Sequence, residues 1–258
     1  MTETKKKAPL VRTKSPLLVT DNKFCPGCGH GIINRLLAES LEELGLAEEA
    51  VGVVAVGCAC LQVDTFGVDW IQAPHGRAPA VATGVKRCRP ENTVFTYQGD
   101  GDCLAIGMSE TIHTAFRGEN ITVIFVNNGV FGMTGGQMAP TTLPGQKTTT
   151  SVKGRDPQLT GNPANIINLL GTFDTVKYLA RGAVHTPAHI NRAKKYIKTA
   201  LENQKNGLGY SFVEILSPCP TNWGLTPVQS LERIKAEMLP VFELGEFRGG
   251  AADKKEAQ

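Results

Sequence analysis

The fold is decided by two stretches, TVFTYQGDGD at residues 93–102 and ITVIFVNNG at residues 121–129. Each begins with β-branched and aromatic residues that are typical of a buried strand, and each ends in glycine and polar residues. The segment between them, Cys103–Arg117, has helical spacing. This pattern predicts one βαβ unit whose two parallel strands end at the same edge of a sheet.

Outward from this unit, strands and helices continue to alternate. Alternation of this kind predicts an α/β fold, with a parallel sheet flanked by helices. The further elements that we predict are buried strands at Val51–Val56, Thr175–Leu179 and Phe212–Leu216, a helix that contains Ile32 to Leu44, and a helix at Pro187–Asn203.

Composition excludes several classes of protein. The 258 residues have a net charge of +3, with 41% hydrophobic and 20% charged residues, as is ordinary for a globular protein. No apolar run approaches the ~20 residues that a membrane span needs, and no secretory signal follows Met1. The charge is too small to predict nucleic-acid binding. We expect a cytoplasmic protein without membrane or nucleic-acid partners, built as a basic arm (residues 1–20), one domain (residues 21–247) and a tail (residues 248–258).

The ends of the two central strands predict a site for a metal ion and a diphosphate. Asp100 and Asn128 would emerge side by side if the strands are neighbours. Gly99 and Gly101 let the backbone approach a ligand, and the helix that follows offers free amides to a phosphate. The Asp and Asn side-chain oxygens, with the carbonyl oxygen of Val130, suit Mg²⁺. A glycine-aspartate-glycine turn alone would be weak evidence for such a site. Its spacing to the paired asparagines makes the prediction specific.

Cysteine usage indicates a second site. Disulfides are rare in the cytosol, so the seven cysteines are expected to bind metal, react or pack. Cys25 and Cys28 form a close pair, for which a thioredoxin-like redox pair, a zinc site and an iron–sulfur cluster are the alternatives. No strand precedes Cys25 and no second close pair is present, although scattered zinc ligands remain open. Cys58, with Cys60 as its rival, and Cys219 lie just past predicted strands.

In their order along the chain, these motifs resemble the β subunit of 2-oxoacid:ferredoxin oxidoreductases. The resemblance covers roughly residues 20–240. It rests on CPGCG (25–29), GC (57–58), HGRAPAVATG (75–84), GDGD (99–102), NN (127–128), GMTGGQ (132–137) and PCPTNW (218–223). It implies a thiamine-diphosphate-binding fold in which Asp100 and Asn128 hold Mg²⁺ and the cofactor. It also implies a [4Fe–4S] cluster on Cys25, Cys28, Cys58 and Cys219.

The resemblance implies further residues of the cofactor site. His75 and Arg77 are expected to act in catalysis, where either could meet a phosphate or the substrate carboxylate. The remaining predicted cofactor contacts are Asp102, Gly132, Met133 and Thr134. The stretch that follows, to about residue 165, is rich in Thr, Gly and Pro and is expected to serve function or to be covered by a partner.

The activity implied is oxidative decarboxylation of a 2-oxoacid to an acyl-coenzyme A and CO₂, with electrons passing through the cluster to ferredoxin. The partners implied are an α subunit, with or without small γ and δ subunits, and ferredoxin. The glutamate that such enzymes place against the aminopyrimidine ring is not found here, so the isolated chain is expected to be inactive. Residues 118–146 contain no Lys or Arg to pair with a distal carboxylate. Both 2-oxoglutarate and branched-chain 2-oxoacids therefore remain candidate substrates.

Two other classes of protein compete with this interpretation. A non-oxidative thiamine-diphosphate decarboxylase or synthase would leave the Cys25 and Cys28 pair without a use. An iron–sulfur or zinc electron-transfer subunit without thiamine would leave the spacing of Asp100 and Asn128 without a use. Neither alternative explains both sets of residues.

Overall fold

The computed structural model of the chain describes residues 13–249 and contains a predominantly parallel sheet. Its strands are β1 (Ala50–Val54), β2 (Asp69–Gln72), β3 (Thr93–Gly99), β4 (Thr122–Asn127), β5 (Val130–Phe131), β6 (Gln137–Met138), β7 (Val176–Ala183), β8 (Tyr210–Leu216) and β9 (Gly245–Arg248). Seven of them form one sheet in the order β2-β1-β3-β4-β8-β7-β9, in which only β9 is antiparallel to its neighbour. β5 and β6 form a small antiparallel pair.

Helices cover both faces of the sheet. They are α1 (His30–Glu43), α2 (Ala78–Cys88), α3 (Met108–Phe116), α4 (Pro157–Thr160), α5 (Ile166–Leu170), α6 (Pro187–Lys205), α7 (Pro220–Trp223) and α8 (Pro227–Arg233). One apolar core lies between the sheet and α1 and α6, and a second lies on the other face against α2, α3 and α5. Strands buried on both faces must be apolar throughout, which explains their β-branched sequences. No helix within residues 13–249 is long and apolar enough to cross a lipid bilayer.

The predicted α/β fold is confirmed, and each predicted strand is present within a few residues of its predicted bounds. The helix predicted at Cys103–Arg117 is instead a π-helical segment, Gly101–Ile106, followed by α3. β2 was not predicted, and for α2 only a helical segment at Cys88 was expected, without bounds. β2 is an edge strand that is mostly exposed and so lacks a buried-strand pattern, and α2 contains alanine, proline, threonine and glycine in place of a clear apolar stripe.

The described residues next to both predicted domain boundaries are hydrogen-bonded to the domain. Most of the basic arm lies outside the described residues, but residues 13–20 are described and pair with the domain, where Val19 N–H donates to the Thr65 carbonyl. At the other end, β9 continues through Arg248, one residue past the predicted boundary. The Arg248 guanidinium bonds to backbone carbonyls that precede β7, among them that of Gly171, which fixes this strand to the domain.

A buried ion pair connects the three strands beside the centre of the sheet. Arg181 on β7 and Glu214 on β8 are each 1% exposed, and their side chains meet at 2.7 Å. The other Glu214 oxygen accepts a hydrogen bond from Asn127 Nδ2 at the end of β4. Arg181 also donates to Asn165 and packs against Phe242. The network therefore fixes the end of β4.

Removing one member of this pair should destabilise the fold strongly. We expect Arg181→Met to lower the free energy of unfolding by about 3–5 kcal/mol, because Glu214 would remain charged and buried without a cation. The double variant with Glu214→Gln should recover part of this loss. Urea unfolding measures both, with Arg192→Met, at an exposed position on α6, as the control. A loss of unfolding free energy in Arg181→Met no larger than that in Arg192→Met would contradict the stabilising role of the ion pair.

Candidate functional site

The predicted site residues converge on one cleft at the carboxyl edge of the sheet. β3 and β4 are parallel neighbours with Gly99 opposite Val126, so Asp100 and Asn128 emerge next to each other. The empty space in the cleft is about 530 Å³, which includes open solvent at its mouth. The predicted residues that line it are Cys58, His75, Gly99, Asp100, Gly101, Asp102, Asn128, Val130, Gly132, Met133 and Thr134.

Asp100 is a buried carboxylate held only by neutral donors in the described part of the chain. It is 2% exposed. One oxygen accepts from Gly101 N–H at 2.9 Å, and the other accepts from Gly129 N–H and Thr141 Oγ1, both at 2.6 Å. Burial raises the pKa of Asp100 to about 6, although these hydrogen bonds lower it. An anion buried without a cation is costly, so this arrangement suits a bound metal cation.

Asn128 completes the polar end of the cleft. Its side-chain Oδ1 accepts from Val130 N–H at 3.2 Å, which orients the amide, and its carbonyl accepts from Trp223 Nε1 at 3.1 Å. Gly129 has φ +70°, a conformation that glycine adopts without strain, and this turns the chain between β4 and β5. The oxygen-rich pair that the sequence predicts is therefore assembled, with Trp223 as a support that the sequence did not predict.

Asp102, a predicted cofactor contact that lines the cleft, is hydrogen-bonded within the protein. Its Oδ1 accepts from Gly76 N–H at 2.6 Å and lies 2.5 Å from His75 Nδ1, while its Oδ2 accepts from Gln98 Nε2 at 2.7 Å. Both oxygens of Asp102 are thus engaged within the protein. This carboxylate fixes the loop before α2 and leaves His75 Nε2 as the ring nitrogen available in the cleft.

Arg77 points elsewhere, although its sequence neighbour His75 lines the cleft. Its guanidinium pairs with Glu110 at 2.5 Å and contacts the Ile106 carbonyl. The intervening Gly76, with φ +81°, packs against Gly107, since a Cβ there would lie 2.7 Å from the Gly107 nitrogen. This close approach separates the two side chains that the sequence grouped together.

The four predicted cluster cysteines come from three loops that meet beside the cleft. Cys25 and Cys28 form a turn before α1, Cys58 follows β1, and Cys219 follows β8. The first loop is joined to the last because Gly29 N–H donates to the Pro218 carbonyl at 3.3 Å.

The four thiols lie close enough to shift one another's pKa. Burial, and then the charges of Cys219, Cys58 and Cys25, raise the pKa of Cys28 to about 12. Burial and the charges of Cys219, Cys25 and Cys60 raise the pKa of Cys58 to about 11. All described cysteines are free thiols. Four thiols that disfavour each other's ionisation suit a metal centre, which would stabilise the thiolates.

Within residues 13–249, no group of three or more His, Cys, Asp or Glu side chains is placed to hold a metal ion. Cys58 lines the cleft, whereas its rival Cys60 packs against the core beside α1. The position of Cys58 supports the predicted choice between them.

Several residues at the site were not predicted from the sequence. Thr141 lies in the Thr-rich stretch that the sequence marked only as functional, and Asn222 lies in the late PCPTNW motif. His30, directly after the first cysteine pair, lines the cleft and bonds through Nδ1 to Tyr97 Oη at 2.8 Å. Burial lowers the pKa of His30 to about 4, so its ring is neutral at pH 7. Gln98 lies in β3, but no local sequence pattern indicates its contact with Asp102.

Comparison with protein families places the cleft within a known domain type. Residues 55–215 match the thiamine pyrophosphate enzyme C-terminal, thiamine-pyrophosphate-binding domain. The match includes the two central strands and both polar motifs at their ends.

Comparison with individual proteins gives a narrower group. The chain is 46% identical over 91% of its length to ketoisovalerate oxidoreductase subunit VorA of Methanothermobacter thermautotrophicus, and covers 49% of that subunit. It is 36% identical to 2-oxoglutarate synthase subunit KorB of Methanocaldococcus jannaschii, covering 78% of this chain and 70% of that one. It thus spans about half the length of the VorA relatives.

A solved structure agrees with these relatives. The fold matches the 2-oxoglutarate:ferredoxin oxidoreductase from Magnetococcus marinus with a TM-score of 0.69 at 29% identity. The match covers 78% of this chain and 66% of that one, in a structure that has 2-oxoglutarate, coenzyme A and succinyl-CoA bound.

The contact between Gly101 and Phe131 gives a test of the cleft. A Cβ at Gly101 would lie 2.3 Å from the Phe131 ring, so Gly101→Ala must displace that ring or the backbone. We expect affinity for thiamine diphosphate with Mg²⁺ to fall about tenfold or more. Calorimetry on the assembled complex measures this, with Gly84→Ala, which meets nothing within 4 Å, as the control. Equal affinities for the two variants would contradict the described cleft.

Proposed function

The chain belongs to the thiamine-diphosphate-binding β-subunit family of 2-oxoacid:ferredoxin oxidoreductases, and from this premise we propose the reaction that it serves. It supplies the cofactor site of an enzyme that oxidatively decarboxylates a branched-chain 2-oxoacid to an acyl-coenzyme A and CO₂ and passes the electrons to ferredoxin. The observation that carries this proposal is the position of Cys58 in the same cleft as Asp100 and Asn128. A redox centre and an organic cofactor bound there would be neighbours.

The residues that would hold thiamine diphosphate and Mg²⁺ are those at the ends of β3 and β4. Asp100, Asn128 and the Val130 carbonyl present oxygen ligands, while Gly101 leaves the backbone open to the diphosphate. Cys25, Cys28, Cys58 and Cys219 would hold a [4Fe–4S] cluster. When bound, thiamine diphosphate supplies an electron sink for decarboxylation and the cluster supplies a one-electron relay.

The cleft favours a branched-chain substrate. Among the residues that line it there is no Lys or Arg, and Val56, Ala59, Phe131 and Met133 give it an apolar wall. The VorA relatives are named as ketoisovalerate oxidoreductase subunits, and ketoisovalerate is a branched-chain 2-oxoacid. 2-Oxoglutarate is the second candidate, supported by the KorB relatives. Its distal carboxylate would need a cation from a partner, because Arg77 is paired with Glu110 and Lys147 does not line the cleft.

His75 is the chain's own candidate for handling a proton. Asp102 holds Nδ1 and thereby sets the ring orientation, so Nε2 can donate to or accept from a substrate oxygen. Gln98 and Gly76 occupy the other bonds of Asp102, which keeps this pair rigid. The role of Arg77 is to fix the loop against α3.

The complex needs further subunits. An α subunit would supply the glutamate for the aminopyrimidine ring, with or without small γ and δ subunits, and ferredoxin would accept the electrons. The free thiols of this chain agree with a reducing cytoplasm.

The substrate and the class are tested in one experiment. The chain is co-produced with its partner subunits without oxygen, and coenzyme-A-dependent reduction of a viologen dye is measured with 2-oxoisovalerate, 2-oxoglutarate and pyruvate. We expect the highest kcat/KM for 2-oxoisovalerate and no turnover by the isolated chain. A complex that binds thiamine diphosphate without iron would instead be a non-oxidative decarboxylase or synthase. Bound iron without thiamine diphosphate would indicate an electron-transfer subunit.

His75 is tested by substitution in the same assay. We expect His75→Gln to lower kcat/KM by about 10²–10⁴-fold, the usual contribution of a general acid or base, while thiamine diphosphate still binds. The pH profile of kcat/KM should lose one limb at the same time. His113→Gln, on the exposed side of α3, is the matched control. An unchanged pH profile for His75→Gln would remove this residue from the chemistry.

A further inference from the structure

We propose that Asn222 couples the cysteine site to the cofactor cleft, and that its amide raises the reduction potential of the cluster. The inference rests on the proposed function, in which Cys219 is a cluster ligand. It concerns a residue that is not itself part of the cleft lining and so acts through its neighbours Gly132 and Cys219.

The first observation is that one amide nitrogen contacts both sites. Asn222 Nδ2 lies 3.3 Å from Cys219 Sγ and 2.9 Å from the carbonyl oxygen of Gly132. A side-chain amide nitrogen carries two hydrogens, so both bonds form at the same time. The first acceptor belongs to the cysteine site and the second to the loop that lines the cleft.

The second observation is that this loop is shaped around Asn222. A Cβ at Gly136, which has φ +81°, would lie 2.9 Å from Asn222 Oδ1. A Cβ at Gly132 would lie 3.3 Å from Cys58 Sγ and 3.7 Å from Asn222 Nδ2. The glycines of the GMTGGQ motif therefore allow the loop to approach two of the three cysteine loops. At Gly132, whose φ is not positive, this close approach is the reason for the glycine.

The third observation is a parallel link through the next residue. Trp223 Nε1 donates to the carbonyl oxygen of Asn128 at 3.1 Å, and the Arg233 guanidinium lies 4.6 Å from the centre of the Trp223 ring. The short helix α7 thus contacts Cys219, the cleft loop and the end of β4. Displacement of α7 would therefore disturb the contacts of both the cysteine site and the cofactor cleft.

The electronic effect follows from the direction of the Asn222 bond. An N–H that points at a cysteine sulfur stabilises negative charge there. A reduced cluster carries one more negative charge than an oxidised cluster, so the donor stabilises the reduced form more and raises the potential. Without this donor, the cluster would be harder to reduce.

The test compares variants of the anaerobically purified complex. Iron, sulfide and thiamine diphosphate are quantified first, and the cluster is then titrated by electron paramagnetic resonance. Hydrogen exchange of residues 131–138 is read on the same samples. Asn222→Leu removes the donor, Asn222→Gln keeps an amide, and Asn191→Leu, at an exposed position on α6, is the control.

We expect Asn222→Leu to shift the midpoint potential to more negative values and to speed exchange in residues 131–138. Asn191→Leu should match the wild type, and Asn222→Gln should lie between. A full cluster with unchanged potential and exchange in Asn222→Leu would overturn the inference alone. A wild-type complex that binds thiamine diphosphate but no iron would overturn the cluster assignment, and the inference with it. If Asn222→Leu and Asn222→Gln both lose iron, unchanged exchange would count against the coupling and faster exchange would support it.

Discussion

The buried carboxylate of Asp100 is the constraint on which the site depends. It lies at the end of a central strand, and three neutral donors converge on it from the segment after β3, the turn after β4 and the Thr-rich stretch. Because no cation balances it among the described residues, the folded chain holds an electrostatic cost at this position that a bound cation relieves. The parallel register of β3 and β4 places Asn128 beside it, and this pairing sets where a diphosphate could be held.

At the cysteine site, as at Asp100, the negatively charged form of the ligands is disfavoured in the absence of a bound ion. Its thiols range from the buried Cys219 to the exposed Cys25, and partial burial together with mutual repulsion disfavours the thiolate form of Cys28 and Cys58. Both sites therefore carry an unfavourable electrostatic energy. Their backbone is not strained, since positive φ angles occur only at glycine among the described residues. Each would be stabilised by the ion that its ligands select, oxygen ligands for Mg²⁺ and sulfur ligands for iron.

Three sets of contacts hold the two sites in place. Asp102 fixes the loop that carries His75, the pair of Arg181 and Glu214 fixes the end of β4 through Asn127, and Asn222 joins Cys219 to the cleft loop. Each set uses a polar side chain whose partners come from distant segments. The resulting rigidity would keep the redox centre and the organic cofactor close together through a catalytic cycle.

The sequence by itself determined the α/β fold, the position of the two central strands and the residue types at their ends. These depend on local patterns, namely apolar runs, turn residues and the spacing of Asp100 and Asn128, which the family resemblance reinforced. Only the tertiary structure decided that Asp102 serves the His75 loop, that Arg77 turns to Glu110 and that Asn222 contacts Cys219. The physical reason is that side-chain hydrogen bonds and ion pairs depend on the packing of segments far apart in the chain. Local sequence periodicity does not predict that packing.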